Sequence, residues 1–287
     1  MMFRFDRDAR RRWKDLAMNV AAFLCVVLAL IPLGSLLFEA SVRGLRSITP
    51  SFFTLTTANG GIGNAIQGTL ILIALTAMIA LPVGILTGIY LAEYGKNRLG
   101  AAVRFFVDVM TQIPSIVVGI FAFSLILELG ATGIVSQRLV FSTTTGVIAL
   151  STIMIPFVAR TSEEALRLVP ISTRESALAL GIPRYRAILR VVLPSSSSAV
   201  ITGALLGIAR VGGETAPLLM TCLGSPFWWQ GLDQPCESLP HTIYVFALGP
   251  DSALNQAAWG ASLILVVMML GIAIVSRVVI RLRSVSR

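Results

Sequence analysis

The feature that most constrains this chain is a series of long apolar runs, at residues 16–38, 66–92, 103–127, 143–159, 196–222 and 257–276. Each approaches or exceeds the roughly 20 residues that a helix needs to cross the hydrocarbon core of a bilayer. With 55% hydrophobic and 13% charged residues, the 287-residue chain is too apolar for a soluble domain. In lipid the backbone must satisfy its own hydrogen bonds, so the expected fold class is all-α integral membrane, with six transmembrane helices in membrane lipid.

The basic residues give the runs a direction. Arg4, Arg7, Arg10, Arg11, Arg12 and Lys14 precede the first run. That run, Leu16 to Phe38, is too long for a signal-peptide core and lacks a small-x-small cleavage site, so it reads as an uncleaved first span with its start in the cytoplasm. If six spans alternate from there, nineteen of the 23 Lys and Arg residues fall on the cytoplasmic side. Arg43, Arg46 and Arg138 fall outside, and Arg210 lies within span five. This asymmetry satisfies the positive-inside rule, places both termini in the cytoplasm and puts residues 160–194 there too. The expected organisation is a basic segment 1–15, a six-helix domain 16–280 and a tail 281–287. The net charge of +9 is dispersed among apolar spans, which accounts for it without a nucleic-acid partner.

Catalytic and metal chemistry find little footing. His241 is the only histidine, Cys25 lies in an apolar run, and Cys222 and Cys236 have no second Cys or His at ligand spacing, so no metal site is expected. The chain contains no Gly-x-x-x-x-Gly-Lys-Ser/Thr phosphate loop, so ATP chemistry would have to come from another chain. An oxidising exterior would permit a Cys222–Cys236 disulfide at the outer end of span five, although Cys222 also fits a buried apolar position.

The cytoplasmic segment 172–194 has its own grammar. Ser172 with Glu175 forms a capping box, predicting a short helix that Gly181 and Pro183 end; a second helix can start at Pro183 and run to Leu193 and Pro194. The order Glu175, Ser176, Ala177, Gly181, Val191, Leu193, Pro194 resembles the EAA loop of bacterial ABC importer permeases, with Ser176 where Ala is usual and Val191 where Ile is usual. In that family the loop docks on the ATPase. The plainer alternative is an ordinary helix-turn-helix connector between spans.

Elsewhere, several features each allow two readings. Gly60–Asn64 is either a flexible turn or a nest of backbone N–H groups for an anion. Pro82, Gly84 and Gly88 permit a kink in span two. Asp108, one turn into span three, is expected to hydrogen-bond neighbouring backbone, or else to belong to a pathway. Arg160 with Glu164, and Glu163 with Arg167, stand at i,i+4 and can pair on a helix that continues past the membrane; Arg160, at the membrane edge, could also face a pathway. Ser195–Ser198 suits the N-cap of span five, and Trp228 and Trp229 read as interfacial anchors of an external loop 223–256.

Charge inside a span is costly and normally faces a polar cavity or a partner. Span five carries Arg210, Val211, Gly212, Gly213, Glu214, Thr215, Ala216 and Pro217. The i,i+4 spacing lets Arg210 and Glu214 pair, either as packing or as a charged gate in a translocation path that the glycines and proline loosen.

That string, with Glu163–Pro170, Glu175, Ala179–Gly181, Leu193 and Pro194, is similar to the PstA-type permeases of bacterial phosphate importers; Gly61–Leu70 and Pro114–Val117 with Gly119 extend the likeness over most of 60–220. The resemblance implies the type I ABC importer permease fold in the bacterial cytoplasmic membrane and a pathway role for Arg210, Glu214 and Arg160. It also implies a homologous second permease, two ATPase subunits that bind ATP and Mg, and an external binding protein that delivers inorganic phosphate. A permease for sulfate or molybdate would share the cytoplasmic loop, and a membrane sensor or scaffold in phosphate signalling is the alternative from another class.

Overall fold

The computed structural model describes residues 3–285, so residues 1–2 of the basic segment and 286–287 of the tail lie outside the described residues. The described chain is helical throughout, without strands. Helix α1 (Phe3–Ser47) contains the first apolar run and extends past both its ends. Phe23, Ile31, Leu36 and Phe38 are exposed on it, as suits a helix surrounded by lipid. Only its outer end is seen to be held, where Ser47 Oγ donates to Gln256 O at 2.8 Å and the Arg43 guanidinium lies 5.2 Å from the Trp259 ring.

A short helix α2 (Pro50–Thr54) leads to α3 (Gly63–Glu93), which pairs closely with α6 (Thr143–Arg167). Glycine makes that approach possible. A Cβ at Gly84 would stand 2.8 Å from Val158 Cβ, and one at Gly88 would stand 2.6 Å from Ser162 Cβ. In lipid, where apolar surface gains little by leaving its solvent, close packing of this kind is what associates helices. Gly203 and Gly207 of α9 (Leu193–Gly212) meet Thr161 and Val158 on another side of α6. The core follows from these contacts: Leu72 and Ala80 of α3, Val147, Leu150, Met154 and Val158 of α6, and Val211 of α9.

The third run does not form one straight span. It divides into α4 (Arg98–Gln112) and α5 (Ser115–Ala131), with axes at 107°. Pro114 lacks an N–H and disfavours helical geometry at the preceding residue; Ile113 is extended at φ −66°, ψ 131°. Among the described residues five helices are long and apolar enough to cross a membrane, or six if the bent pair counts as one span. The fifth run is also broken. After Gly212 the chain turns and resumes as α10 (Ala216–Thr221).

The segment 172–194 departs from expectation at both ends. Helix α7 (Ile171–Ala179) starts after Pro170, so Ser172 lies inside it and the expected capping box does not form. Gly181 ends the turn at φ 76°, in the left-handed region. Helix α8 (Arg184–Ala187) starts after Pro183, but it does not stop at Leu193 and Pro194: a π-helical turn, Ile188–Val192, joins it to α9. The π turn rearranges the backbone just where Pro194 cannot donate. Ser195, Ser196 and Ser197 cap nothing; each donates to a carbonyl one turn back on the same helix, at 2.6, 3.0 and 2.7 Å.

The segment 223–251, expected outside the membrane, is folded onto the bundle. It contains α11 (Leu239–Leu248) and leads into α12 (Ser252–Val285). Thr143 and Thr144 donate backbone N–H groups to Gln234 O and Leu232 O, at 2.9 and 3.0 Å. Trp229 is no surface anchor: its backbone N donates to Gln67 Oε1 and its indole to Thr143 Oγ1, both at 3.1 Å. Trp228 is exposed.

Candidate functional site

Arg210 ends the last turn of α9, and Glu214 follows the break. The backbone turns tightly there, Gly213 N donating to Arg210 O and Glu214 N to Val211 O, both at 3.1 Å. The turn keeps the side chains together even though the helix stops, with Arg210 Nε 3.6 Å from Glu214 Oε1. That is an ion pair beyond direct hydrogen-bond distance. Arg210 is 41% exposed and Glu214 16%. The guanidinium also lies 5.5 Å from the Phe157 ring of α6. Pro217 follows on α10, packed so closely on α5 that a Cβ at Gly119 would stand 2.6 Å from Pro217 Cα.

Arg160 sits one turn from Phe157 on α6, and it is held more firmly. It donates from Nε to Glu164 at 2.7 Å and from Nη1 to Asp108 at 2.9 Å. The Asp108 carboxylate therefore meets a guanidinium on another helix rather than neighbouring backbone. Its backbone carbonyl accepts from Thr111 Oγ1 and Gln112 Nε2. Arg160 has two carboxylate partners, whereas Arg210 has one, at a longer distance. The shared neighbour Phe157 places both arginines on one side of α6.

The glycine turn 60–64 does not offer an anion nest. Gly61 N donates to Thr56 O, Ile62 N to Phe52 O and Gly63 N to Leu55 O, at 3.0, 2.8 and 2.9 Å. Their donors are spent on local carbonyls. The expected Cys222–Cys236 bridge is also absent: both thiols are free and buried. Cys222 Sγ lies 3.6 Å from Ser142 O, and Cys236 Sγ lies 3.4 Å from Glu237 O. Burial pushes the Cys236 thiol up to about 11.

In the loop 172–194, Glu175, Ser176, Gly181 and Pro194 are exposed and Leu193 is half-buried. Ala177 is buried, turned into its own chain. Leu168, Ile171, Leu178, Leu180, Tyr185 and Leu189 expose apolar surface around them, a patch of the kind that partner proteins cover.

Two further carboxylates, Glu163 and Glu93, are buried and ion-paired. Glu163 receives Arg104 Nε at 2.8 Å and Arg167 Nη2 at 2.6 Å. Glu93, at the end of α3, receives Arg174 Nε of α7 at 3.0 Å. The one signal for Glu93 was a lone carboxylate closing an apolar span; its partner lies 81 residues away.

Comparison with known proteins agrees with this architecture. Residues 84–283 match the family described as "Binding-protein-dependent transport system inner membrane component". The chain is 39% identical over 285 residues to the phosphate transport system permease protein PstA of Yersinia pestis, covering 97% of this chain and 94% of that protein. It is 37% identical over 275 residues to phosphate transport system permease protein PstA 1 of Mycobacterium tuberculosis H37Rv, covering 91% and 85%. Among solved structures it resembles the MetNI methionine ABC transporter in an inward-facing conformation, with TM-score 0.58 at 18% identity over 82% of this chain and 98% of that one. That likeness speaks to the fold alone, the type I ABC importer permease. The chain thus belongs to the binding-protein-dependent transport system inner membrane components and, within them, to the PstA permeases.

Proposed function

We propose that this chain is the permease subunit through which an ATP-driven importer moves inorganic phosphate into a bacterial cell. The observation that carries the reading is the Arg210–Glu214 pair, loosely held at 3.6 Å at a helix break and open on a face this chain does not cover. A homologous second permease would close that face. An external binding protein would deliver phosphate, and two ATPase subunits, which bind ATP and Mg, would dock on the cytoplasmic loop. In this reading both termini are cytoplasmic in the cell's inner membrane. Glu175, Ser176, Ala177, Gly181, Leu193 and Pro194 then belong to the coupling loop, Ala177 by packing and the exposed residues by contact.

The chemistry of phosphate suits the pair. At neutral pH phosphate still carries a proton, so a guanidinium can donate to its oxygens while a carboxylate accepts from P–OH. Sulfate offers no such proton. As phosphate arrives, Arg210 exchanges Glu214 for the anion and Glu214 takes up the P–OH, so neither charge is left without a partner. Selection of phosphate over other anions rests mainly with the external binding protein.

The test is uptake by the assembled complex. Charge-assisted hydrogen bonds are worth about 1.5–3 kcal/mol, so Arg210→Gln and Glu214→Gln should each reduce phosphate uptake by roughly tenfold or more with assembly intact. Wild-type uptake by the double variant would reduce the pair to packing.

A further inference from the structure

Helix α3 is fastened at both ends to segments remote in sequence. At the cytoplasmic end, Arg174 of α7 donates to Glu93 Oε1 at 3.0 Å, and to the α6 terminus through Val169 O at 2.5 Å and Leu166 O at 2.7 Å. Arg184 of α8 donates to Glu93 O, with its guanidinium 4.7 Å from the Tyr94 ring. Arg104 of α4 donates to Leu91 O at 3.0 Å and to Glu163 at 2.8 Å. Glu93 is only 6% exposed.

At the external end, the first two turns of α3 hold the outer segment. Asn64 Nδ2 donates to Ser225 O at 2.8 Å, Gln67 Oε1 accepts from Trp229 N at 3.1 Å, and Thr69 Oγ1 accepts from Leu239 N at 2.8 Å. Gly68 lets the chain pass so close that a Cβ there would stand 2.6 Å from Cys236 Sγ. Between the ends, α3 runs 31 residues, about 46 Å at 1.5 Å per residue. Pro82 weakens its hydrogen-bond ladder, but Gly84 and Gly88 seat that stretch on α6.

We propose that α3 is a strut between the cytoplasmic docking loop and the external segment, with Arg174 and Glu93 as its positioning residues. This rests on the permease reading, because it supposes that an ATPase moves α7. A half-buried guanidinium with three acceptors on two other segments resists sliding, so displacement of α7 passes to α3 rather than being absorbed in the loop. The rigid helix then moves the 225–239 segment. Coupling of this kind is reciprocal, so a change outside is felt at the docking loop.

Cys236 is a built-in reporter. The complex of this chain with its second permease, ATPase and binding protein is placed in vesicles loaded with ATP or with none. N-ethylmaleimide is added outside at pH 8, and mass spectrometry follows the peptide containing Cys236. In wild type the alkylation rate should change about threefold or more during ATP turnover. Arg174→Gln and Glu93→Gln should keep ATP hydrolysis and lose that response, and the double variant should lose no more than either single. Arg174→Lys, which keeps charge without the fork, should restore part of it. From the other end, Gln67→Leu should weaken stimulation of ATP hydrolysis by phosphate-loaded binding protein. An unresponsive Cys236 in wild type, or a full response in both single variants, would overturn the strut. Phosphate uptake is read in the same vesicles: its absence in wild type overturns the permease reading and the strut with it, whereas uptake beside an unresponsive Cys236 overturns the strut alone.

Discussion

Arg160 and Arg210 differ in what binds them. Arg160 is clasped by Asp108 and Glu164 at 2.9 and 2.7 Å, while Arg210 has Glu214 at 3.6 Å. The pairs at i,i+4 were legible from spacing alone, because a helix fixes that geometry. Asp108 with Arg160 was not, since 52 residues separate them and no periodicity spans such a distance. The same holds for Glu93 with Arg174. The cysteines carry a separate prediction. Denatured without reductant, Cys222 and Cys236 should both alkylate fully, because neither is bridged. In the folded protein Cys236 is neutral through the physiological range, so its alkylation should stay slow near pH 7 and accelerate as pH rises toward 11. Protection of both thiols after denaturation would contradict the structure.

At the scale of elements, the apolar runs were readable and their interruptions were not. Hydropathy reports how much lipid-compatible sequence is present, not which way it points, so the 107° bend at Pro114 passed unseen, while Gly212, Gly213 and Pro217 gave a loosened helix where the structure has a full break. The cytoplasmic turn was readable at Gly181, whose positive φ only glycine adopts without cost, and misread at Ser172, where Pro170 starts the helix first. Glycine packing gives a sharp contrast. Gly84→Leu must drive Val158 and Ile155 aside and should lower stability by about 1–3 kcal/mol, whereas Gly34→Ala on α1 meets nothing within 4 Å and should leave it unchanged or slightly raised. Thermal unfolding in detergent distinguishes them, and equal midpoints would contradict the α3–α6 interface. On the loop, Leu180 points outward at 80% exposure and Ala177 inward at 5%. Leu180→Asp should thus release the ATPase from an otherwise normal chain, while Ala177→Trp should disorder the loop itself. Co-purification of the ATPase with Leu180→Asp at the wild-type ratio would remove that surface from the docking face.

As a whole molecule the chain leaves a face open: Arg210 is 41% exposed and the first helix exposes most of its apolar side chains. In the proposed reading a second permease covers the face that Arg210 opens on. In that reading the ion pairs around Glu93 and Glu163 and the folded 223–251 segment lie at the two ends of the path, with the loosely paired Arg210 between them. The most direct measurement is uptake of radiolabelled phosphate by vesicles containing this chain, its homologous permease, the ATPase and the phosphate-loaded binding protein. Uptake should require ATP on the cytoplasmic face, should persist in excess sulfate, and should fall at least about tenfold with Arg210→Gln while ATP is still bound. Phosphate accumulation that proceeds without ATP, or that is unchanged by Arg210→Gln, would contradict the account.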